Sequence, residues 1–178
     1  SIRSDLGLLV MLGYIDAKPK VGYFMGEKAA SANTGVIRIV QRRVGDVMGQ
    51  PVALKETATV GDAVVTLFLE NVGSLVVVDA SGALSGIVSR KDLLKVTLGN
   101  PQAASVPLSM VMTRYPNIAY VTPDDTVQEA MRKMIVHEVD GLPVATVKNP
   151  DEPHRLEVAG RITKTTIIRL LYEEMANL

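Results

Sequence analysis

Cysteine and tryptophan are absent from this 178-residue chain, which carries only two Phe, five Tyr and two His. Without cysteine there are no disulfides, no thiolate zinc sites and no cysteine nucleophile, which fits a cytoplasmic protein. So few aromatic rings leave no material for a platform that stacks the bases of a single strand. Long apolar runs are also missing: the longest candidate, Leu75–Val78, has the length of a strand and not of a bilayer span. Neither sign of charge is in excess, since Lys+Arg and Asp+Glu both number 19. That balance argues against a bulk polyanion binder and leaves room for a local basic patch. The opening Ser1-Ile2-Arg3-Ser4-Asp5 has no initiator Met and no signal-peptide pattern, so the chain reads as part of something longer.

Apolar material is plentiful. A hydrophobic fraction of 47% and a mean hydropathy of +0.21 suffice for a full core and exclude global disorder. Enzymatic signatures are lacking: no Gly-x-Ser-x-Gly, no phosphate-cradling Walker loop and no dinucleotide fingerprint occur. His137 is expected as a partly buried packing residue, His154 as a solvated one, and their spacing offers no metal site. The acidic pairs Asp124-Asp125, Asp151-Glu152 and Glu173-Glu174 read as helix-start or surface charge.

Most of the chain is an internal repeat. Val44–Met48 matches Leu108–Met112, and Thr59–Val64 matches Thr126–Met131. Val72–Val77 matches Val139–Val144, and Gly86–Leu94 matches Gly160–Ile168. The offset grows from 64 to 67 to 74, with the last increase in the polar stretch Lys148–His154, which reads as an enlarged turn. Thr59-x-x-Asp62 and Thr126-x-x-Glu129 are capping boxes at matched positions. Behind them Val60, Ala63, Val64, Leu67 and Phe68 share one helical face, as do Val127, Ala130, Met131, Met134 and Ile135. Leu75–Asp79 and Ala83–Val88 read as strands around the turn Ala80-Ser81-Gly82, and Ser89 and Thr163 start further helices. The unit is β-α-β-β-α. Two copies should pack about a pseudo-twofold axis as an α+β, sandwich-like fold, because one copy alone leaves a sheet face uncovered.

Residues 1–28 stand outside the repeat. Ile2, Leu6, Leu9 and Val10 lie on one face of a helix that stops at Gly13. Tyr14–Ala17 and Val21–Phe24 read as short strands around Lys18-Pro19-Lys20. Helix, two-stranded wing and basic turn are the closing parts of a winged helix-turn-helix, in which Arg3, Lys18 and Lys20 would contact DNA phosphates. An ordinary amphipathic helix and hairpin with solvated lysines explains the same residues. Residues 29–43 are expected as a linker, on the Ala, Ser and Asn content of Glu27–Gly35.

The matched blocks Val44–Met48 and Leu108–Met112, the Leu-x-Val strands and the Gly-h-h-Ser/Thr-x-x-Asp/Thr exits resemble a tandem pair of CBS domains, the Bateman module. The resemblance covers about Val36–Leu178, with repeats at 44–100 and 108–178. Ile-Arg-Ser-Asp-Leu, Leu-Gly-Tyr-Ile and Lys-Pro-Lys-Val-Gly-Tyr-Phe look like the end of the winged helix of the HTH–CBS catabolite-control repressors of Gram-positive bacteria. That resemblance implies a winged helix cut within its recognition helix, a homodimer formed through the CBS pair, and operator DNA bound by the full-length protein. It also implies an adenine nucleotide (ATP, ADP or AMP) as effector and repression of gluconeogenic or carbon-metabolism genes.

The residues with most to say about a ligand are Ser89-Arg90-Lys91-Asp92. Ser89 at a helix start turns a hydroxyl and free N–H groups toward an anion, Asp92 can accept from two ribose hydroxyls, and Arg90 or Lys91 can neutralise phosphate. Ser89-x-x-Asp92 is equally a capping box that needs no ligand. In a CBS pair the motif resembles the ribose-phosphate half of a nucleotide site. The resemblance places the base half in the other repeat, on Thr113, Asn117, Ile118, Ala119, Val139 and Asp140, although strand packing accounts for Ile118 and Val139 as well. The second cleft would comprise Val52, Ala53, Ser74, Arg161, Thr163 and Lys164, with Thr166 where the pattern expects Asp. A hydroxyl cannot hold a ribose as a carboxylate does, so the second cleft should be weak, different or empty. Two alternatives stay open: a regulatory CBS module of an enzyme or transporter, and a dimerisation module with vestigial clefts.

Overall fold

The computed structural model describes residues 2–176, without the side chains of residues 3 and 28–33. The chain divides into two compact units: residues up to 41 with the turns from Leu170 onward, and Arg42–Arg169.

In the smaller unit α1 (Ile2–Met11) is followed by an antiparallel hairpin of β1 (Ile15–Lys18) and β2 (Gly22–Met25), with Lys18 opposite Gly22. Gly13, at φ 78°, ends α1 as the sequence predicts. Its N–H donates to Val10 O (3.0 Å) and the Tyr14 N–H to Leu9 O (2.9 Å), a Schellman closure that satisfies two orphan carbonyls. The expected linker is in fact helical: α2 runs from Glu27 to Val40. Ala29, Ala30 and Ala32 are strong helix formers, and Ser and Asn next to them do not outweigh that preference. Within this unit Arg38 pairs with Glu174 at 3.3 Å.

The larger unit carries both repeats. The first runs α3 (Val44–Val47), β3 (Ala53–Lys55), α4 (Val60–Leu69), β4 (Ser74–Val78), β5 (Leu84–Ser89) and α5 (Arg90–Thr97). Two short 3-10 turns lead to the second: β6 (Thr113–Arg114), α6 (Val127–Val136), β7 (Gly141–Val147), β8 (Leu156–Thr163) and α7 (Lys164–Ala176). β3 pairs parallel with β4, and β4 antiparallel with β5. The fourth strand of that sheet is β6, so the leading segment of repeat 2 closes the sheet of repeat 1. The exchange is reciprocal. Gly49 bridges Arg161 on β8, with both N–H···O distances at 2.9 Å, while Val121 bridges Val144 where β3 would lie. A Cβ on Gly86 would stand 2.6 Å from Thr113 O, and one on Gly160 2.8 Å from Gly49 O. The two crossings therefore require glycine at the first position of each exit motif.

The run Leu75-Val76-Val77 is buried on both faces, which is why it is apolar without alternation. Leu75 and Val77 join Val60, Ala63, Leu67, Val88, Leu93 and Leu108 in the core of repeat 1. Val76 turns the other way, to Leu84, Ile118, Ala145 and Leu156, a cluster drawn from both repeats. Part of the predicted helical faces stays in solvent: Phe68 is 85% exposed, Ile135 73%, and Val64 is exposed too. A helix of one and a half apolar stripes buries one stripe in its own domain and leaves the other free. His137, expected to be partly buried, is the exposed C-cap of α6. The turn at 148–155 is enlarged as expected, with successive turns closed by Glu152 N–H to Asn149 O and Arg155 N–H to Glu152 O. No helix among the described residues is long and apolar enough to cross a membrane.

Candidate functional site

Strand β5 ends and α5 begins at Ser89, whose side chain reaches back over the first turn. Asp92 Oδ2 accepts from the Ser89 N–H (2.8 Å) and from Ser89 Oγ (2.7 Å), and the Asp92 N–H donates to Ser89 Oγ (3.3 Å). This is a complete capping box, so the structural reading of Ser89-x-x-Asp92 is realised. All carboxylate bonds of the cap go to Oδ2, which leaves Oδ1 available for a ligand hydroxyl. The same cap forms on α4, where Asp62 Oδ2 accepts from the Thr59 N–H (2.8 Å) and Oγ1 (2.9 Å). Those bonds hold the Asp62 carboxyl below its usual range.

Around Ser89 the fold gathers charge. Arg90 and Lys91 are exposed on the first turn of α5. Asp140, at the start of β7 in the other repeat, pairs with Lys164 Nζ at 2.8 Å. Lys164 foremost, and Lys91 and Arg90 further off, hold the Asp140 carboxyl below its usual range. Register places Thr113 opposite Ile87, two residues before Ser89. Asn117 is exposed, Ala119 and Val139 are half-buried, and among the described residues none shares a hydrogen bond with Ser89 or Asp92. Ile118 is taken up by the inter-repeat core.

The second cleft repeats the geometry with other atoms. The Thr163 N–H donates to Thr166 Oγ1 (3.3 Å), the Thr166 N–H to Thr163 Oγ1 (3.2 Å), and the two hydroxyls lie 3.1 Å apart. Thr166 thus replaces Asp92 in the cap while removing its charge. Ser74 and Val52 are half-buried, Ala53 is exposed, Arg161 is half-buried on β8 and Lys164 is engaged by Asp140. That ion pair escaped sequence reasoning, because its partners lie 24 residues apart in different elements.

Lys18 and Lys20 flank the exposed tip of the β1–β2 hairpin, with Lys18 Nζ 5.7 Å from the Phe24 ring centre. The Arg3 side chain lies outside the described residues.

Four similarities bear on this arrangement. The family model of the CBS domain matches residues 44–99 and 108–173. The transcriptional repressor CcpN of Bacillus subtilis (strain 168) is 39% identical over 171 residues, which is 96% of this chain and 78% of that one. Among solved structures, a putative acetoin utilization protein from Vibrio cholerae aligns with TM-score 0.64 and 27% identity, over 76% of this chain and 94% of its own. The CBS domain pair of protein MJ0100, solved with 5′-methylthioadenosine and S-adenosyl-L-methionine, aligns with TM-score 0.63 and 25% identity, over 75% and 98%.

Proposed function

The chain belongs to the CBS-domain family, as a tandem pair related to the Bacillus repressor, and from that premise we propose that it is the ligand-sensing part of a transcriptional repressor. The observation that carries this reading is the 39% identity to a repressor along 96% of the chain, which includes the α1 and hairpin region outside the repeats. It is a regulator, not an enzyme, and works in the cytoplasm. The wing-like hairpin, with Lys18 and Lys20 at its tip, contacts operator phosphates in the full-length protein, together with Arg3.

The effector is an adenine nucleotide, ATP, ADP or AMP, in the Ser89–Asp92 cleft. A related CBS pair binds two adenosine-containing ligands, which supports the adenine class. In this reading Asp92 Oδ1 takes ribose hydroxyls, Ser89 and the first N–H groups of α5 face phosphate, and Arg90 and Lys91 supply counter-charge. Thr113, Asn117, Ala119, Val139 and Asp140 line the base side, with Ile118 behind them as packing. The cleft of Val52, Ala53, Ser74, Arg161, Thr163, Lys164 and Thr166 is the weaker one.

The module is a homodimer. Exposed apolar side chains recur at matched positions in both repeats, Phe68 and Leu69 on α4 against Ile135 and Val136 on α6, and Leu94 on α5 against Ile168 on α7. Chance would not repeat an exposed apolar pair at the same offset, whereas a symmetric interface would. On the exit helix Ile167 is buried and so serves the core, whereas Ile168 and Met175 remain exposed. Occupancy of the cleft would then alter how the dimer presents its two DNA-binding domains to paired half-sites, and carbon-metabolism genes are the targets the relationship suggests. Calorimetric titration with ATP, ADP and AMP tests the reading: one strong site per chain is expected, and no heat with any of the three overturns it in favour of a module with vestigial clefts.

A further inference from the structure

Both chain connections of the smaller unit lead to repeat 2. α2 is followed by Arg42–Gly45, and repeat 2 holds that segment. The Val127 N–H donates to Arg42 O (2.9 Å), the Val44 N–H to Asp125 O (2.8 Å) and the Gly45 N–H to Pro123 O (2.9 Å). The other connection is α7, the exit helix of repeat 2, which runs unbroken from Lys164 to Ala176 past the unit boundary at Arg169-Leu170. Ile167, before that boundary, and Leu170, after it, are both buried. The equivalent helix of repeat 1, α5, ends at Thr97 after eight residues.

Within the smaller unit the end of α7 lies tightly on α2. A Cβ on Gly35 would stand 3.0 Å from Glu174 Oε1 and 3.2 Å from its Cγ, and Arg38, one turn on, pairs with Glu174 at 3.3 Å. Glycine is a poor helix former, and this close approach gives Gly35 its reason inside α2. The start of α7 is held by a softer cap than that of α5. Thr163 and Thr166 join through neutral contacts of 3.3, 3.2 and 3.1 Å, whereas the Asp92 carboxylate accepts from Ser89 at 2.8 and 2.7 Å. A phosphate competes for hydroxyls and N–H groups more easily in the neutral cap.

We propose that repeat 2 is the output half of the pair: phosphates in the second cleft re-seat the first turn of α7, and the joint of Gly35, Arg38 and Glu174 passes the change to α2, the helix that follows the wing. This rests on the nucleotide reading above and gives the regulatory role to the weaker cleft. Arg38 and Glu174 are positioning residues. Their side chains are 67% and 24% exposed, and a pair so placed adds little to stability.

The test is hydrogen exchange on this chain with ATP, ADP and AMP, each titrated to saturation. It is read at the amides of α2, which holds no cleft residue, and at those of α5 as the internal record of binding. A coupling of ordinary size changes α2 exchange by about fivefold or more. In wild type α5 should be protected first, and α2 should respond at about tenfold higher nucleotide, the order of one lost charged hydrogen bond. Arg38→Glu and Glu174→Arg should each cut the α2 response to less than about twofold while α5 protection and Tm stay as they are; a merely structural pair would move Tm instead. The double variant, with the charges exchanged, should restore the response. An α2 response that titrates together with α5 protection, or survives both reversals, overturns the output route and leaves the nucleotide reading standing. So does α5 protection with α2 silent. Reversals that the double variant fails to rescue overturn the ion pair as the joint, and no protection at either helix overturns both readings.

Discussion

Replacing Asp92 by Ala separates the helix cap that the structure shows from the ribose contact proposed above. The cap loses the bonds from the Ser89 N–H and Oγ to Asp92 Oδ2. It keeps the bond from the backbone N–H of residue 92 to Ser89 Oγ, which needs no carboxylate. The loss should therefore be about 1 kcal/mol, typical of a partly dismantled cap. In a chain of this size that is a fall of about 2–4 °C in Tm. A nucleotide at about 100 times its Kd stabilises the folded state by about 2.7 kcal/mol, or about 5–10 °C. The quantity to measure is the melting shift caused by ligand within each protein, because the cap loss then cancels. Wild type should shift by the full amount with ATP, ADP or AMP, and Asp92→Ala should lose most of it. Thr166→Ala should keep most of it. Asp62→Ala is the control, since the cap on α4 has the same bonds but lies outside the site, so its baseline Tm should fall while its ligand shift stays intact. A ligand shift in Asp92→Ala equal to that of wild type would refute the assignment of ribose to this carboxylate.

Other outcomes follow from the same structure. Leu75→Ala, in the core of repeat 1, should cost about 2–5 kcal/mol, whereas Phe68→Ala should change monomer stability by less than about 0.5 kcal/mol, as judged by urea unfolding. Phe68→Glu should shift the dimer toward monomer in sedimentation equilibrium, and an unchanged mass would remove α4 from the interface. In the full-length protein, Lys18→Glu with Lys20→Glu should weaken operator binding across sequences and lower the salt slope by about two, read by fluorescence anisotropy; an unchanged slope would remove the wing from the DNA. Asp79 is held below its usual range by the Ser81 side chain, then by the Ala83 and Ser81 N–H groups. Its folded form binds fewer protons than its unfolded form, so its contribution is present at neutral pH and fades as pH falls below about 4. Asp79→Asn should thus be less stable than wild type at pH 7 and converge with it at pH 3; a constant gap would contradict this.

Local chemistry carried most of the fold into the sequence. Two of three predicted capping boxes close in both directions, and Gly13 stops α1 where its left-handed conformation is needed. At Thr126 the cap is one-sided, because the Glu129 carboxylate is drawn to Arg132 at 2.7 Å instead of returning to the Thr126 N–H. Periodicity found the helices but could not say which apolar stripe is core: Leu67 and Phe68 are neighbours with opposite fates, and the difference is set by strands distant in sequence. The same limit applies to the site. Ser89 and Asp92 sit three residues apart and announce themselves, whereas Asp140 meets Lys164, 24 residues away, only when β7 pairs with β8.

The exchanged leading segments make the two halves a clasp. β6 closes the sheet of repeat 1, and Gly49 returns the favour on β8, so each half hides a strand edge that it could not cover alone. A protease cut in the exposed connection around Gly99-Asn100-Pro101 would sever the backbone without opening the clasp, and the nicked halves should travel together until denatured. Either half made alone would display an unsatisfied β edge, and its natural remedy is to take the missing strand from a second molecule. The unit of folding is therefore the pair.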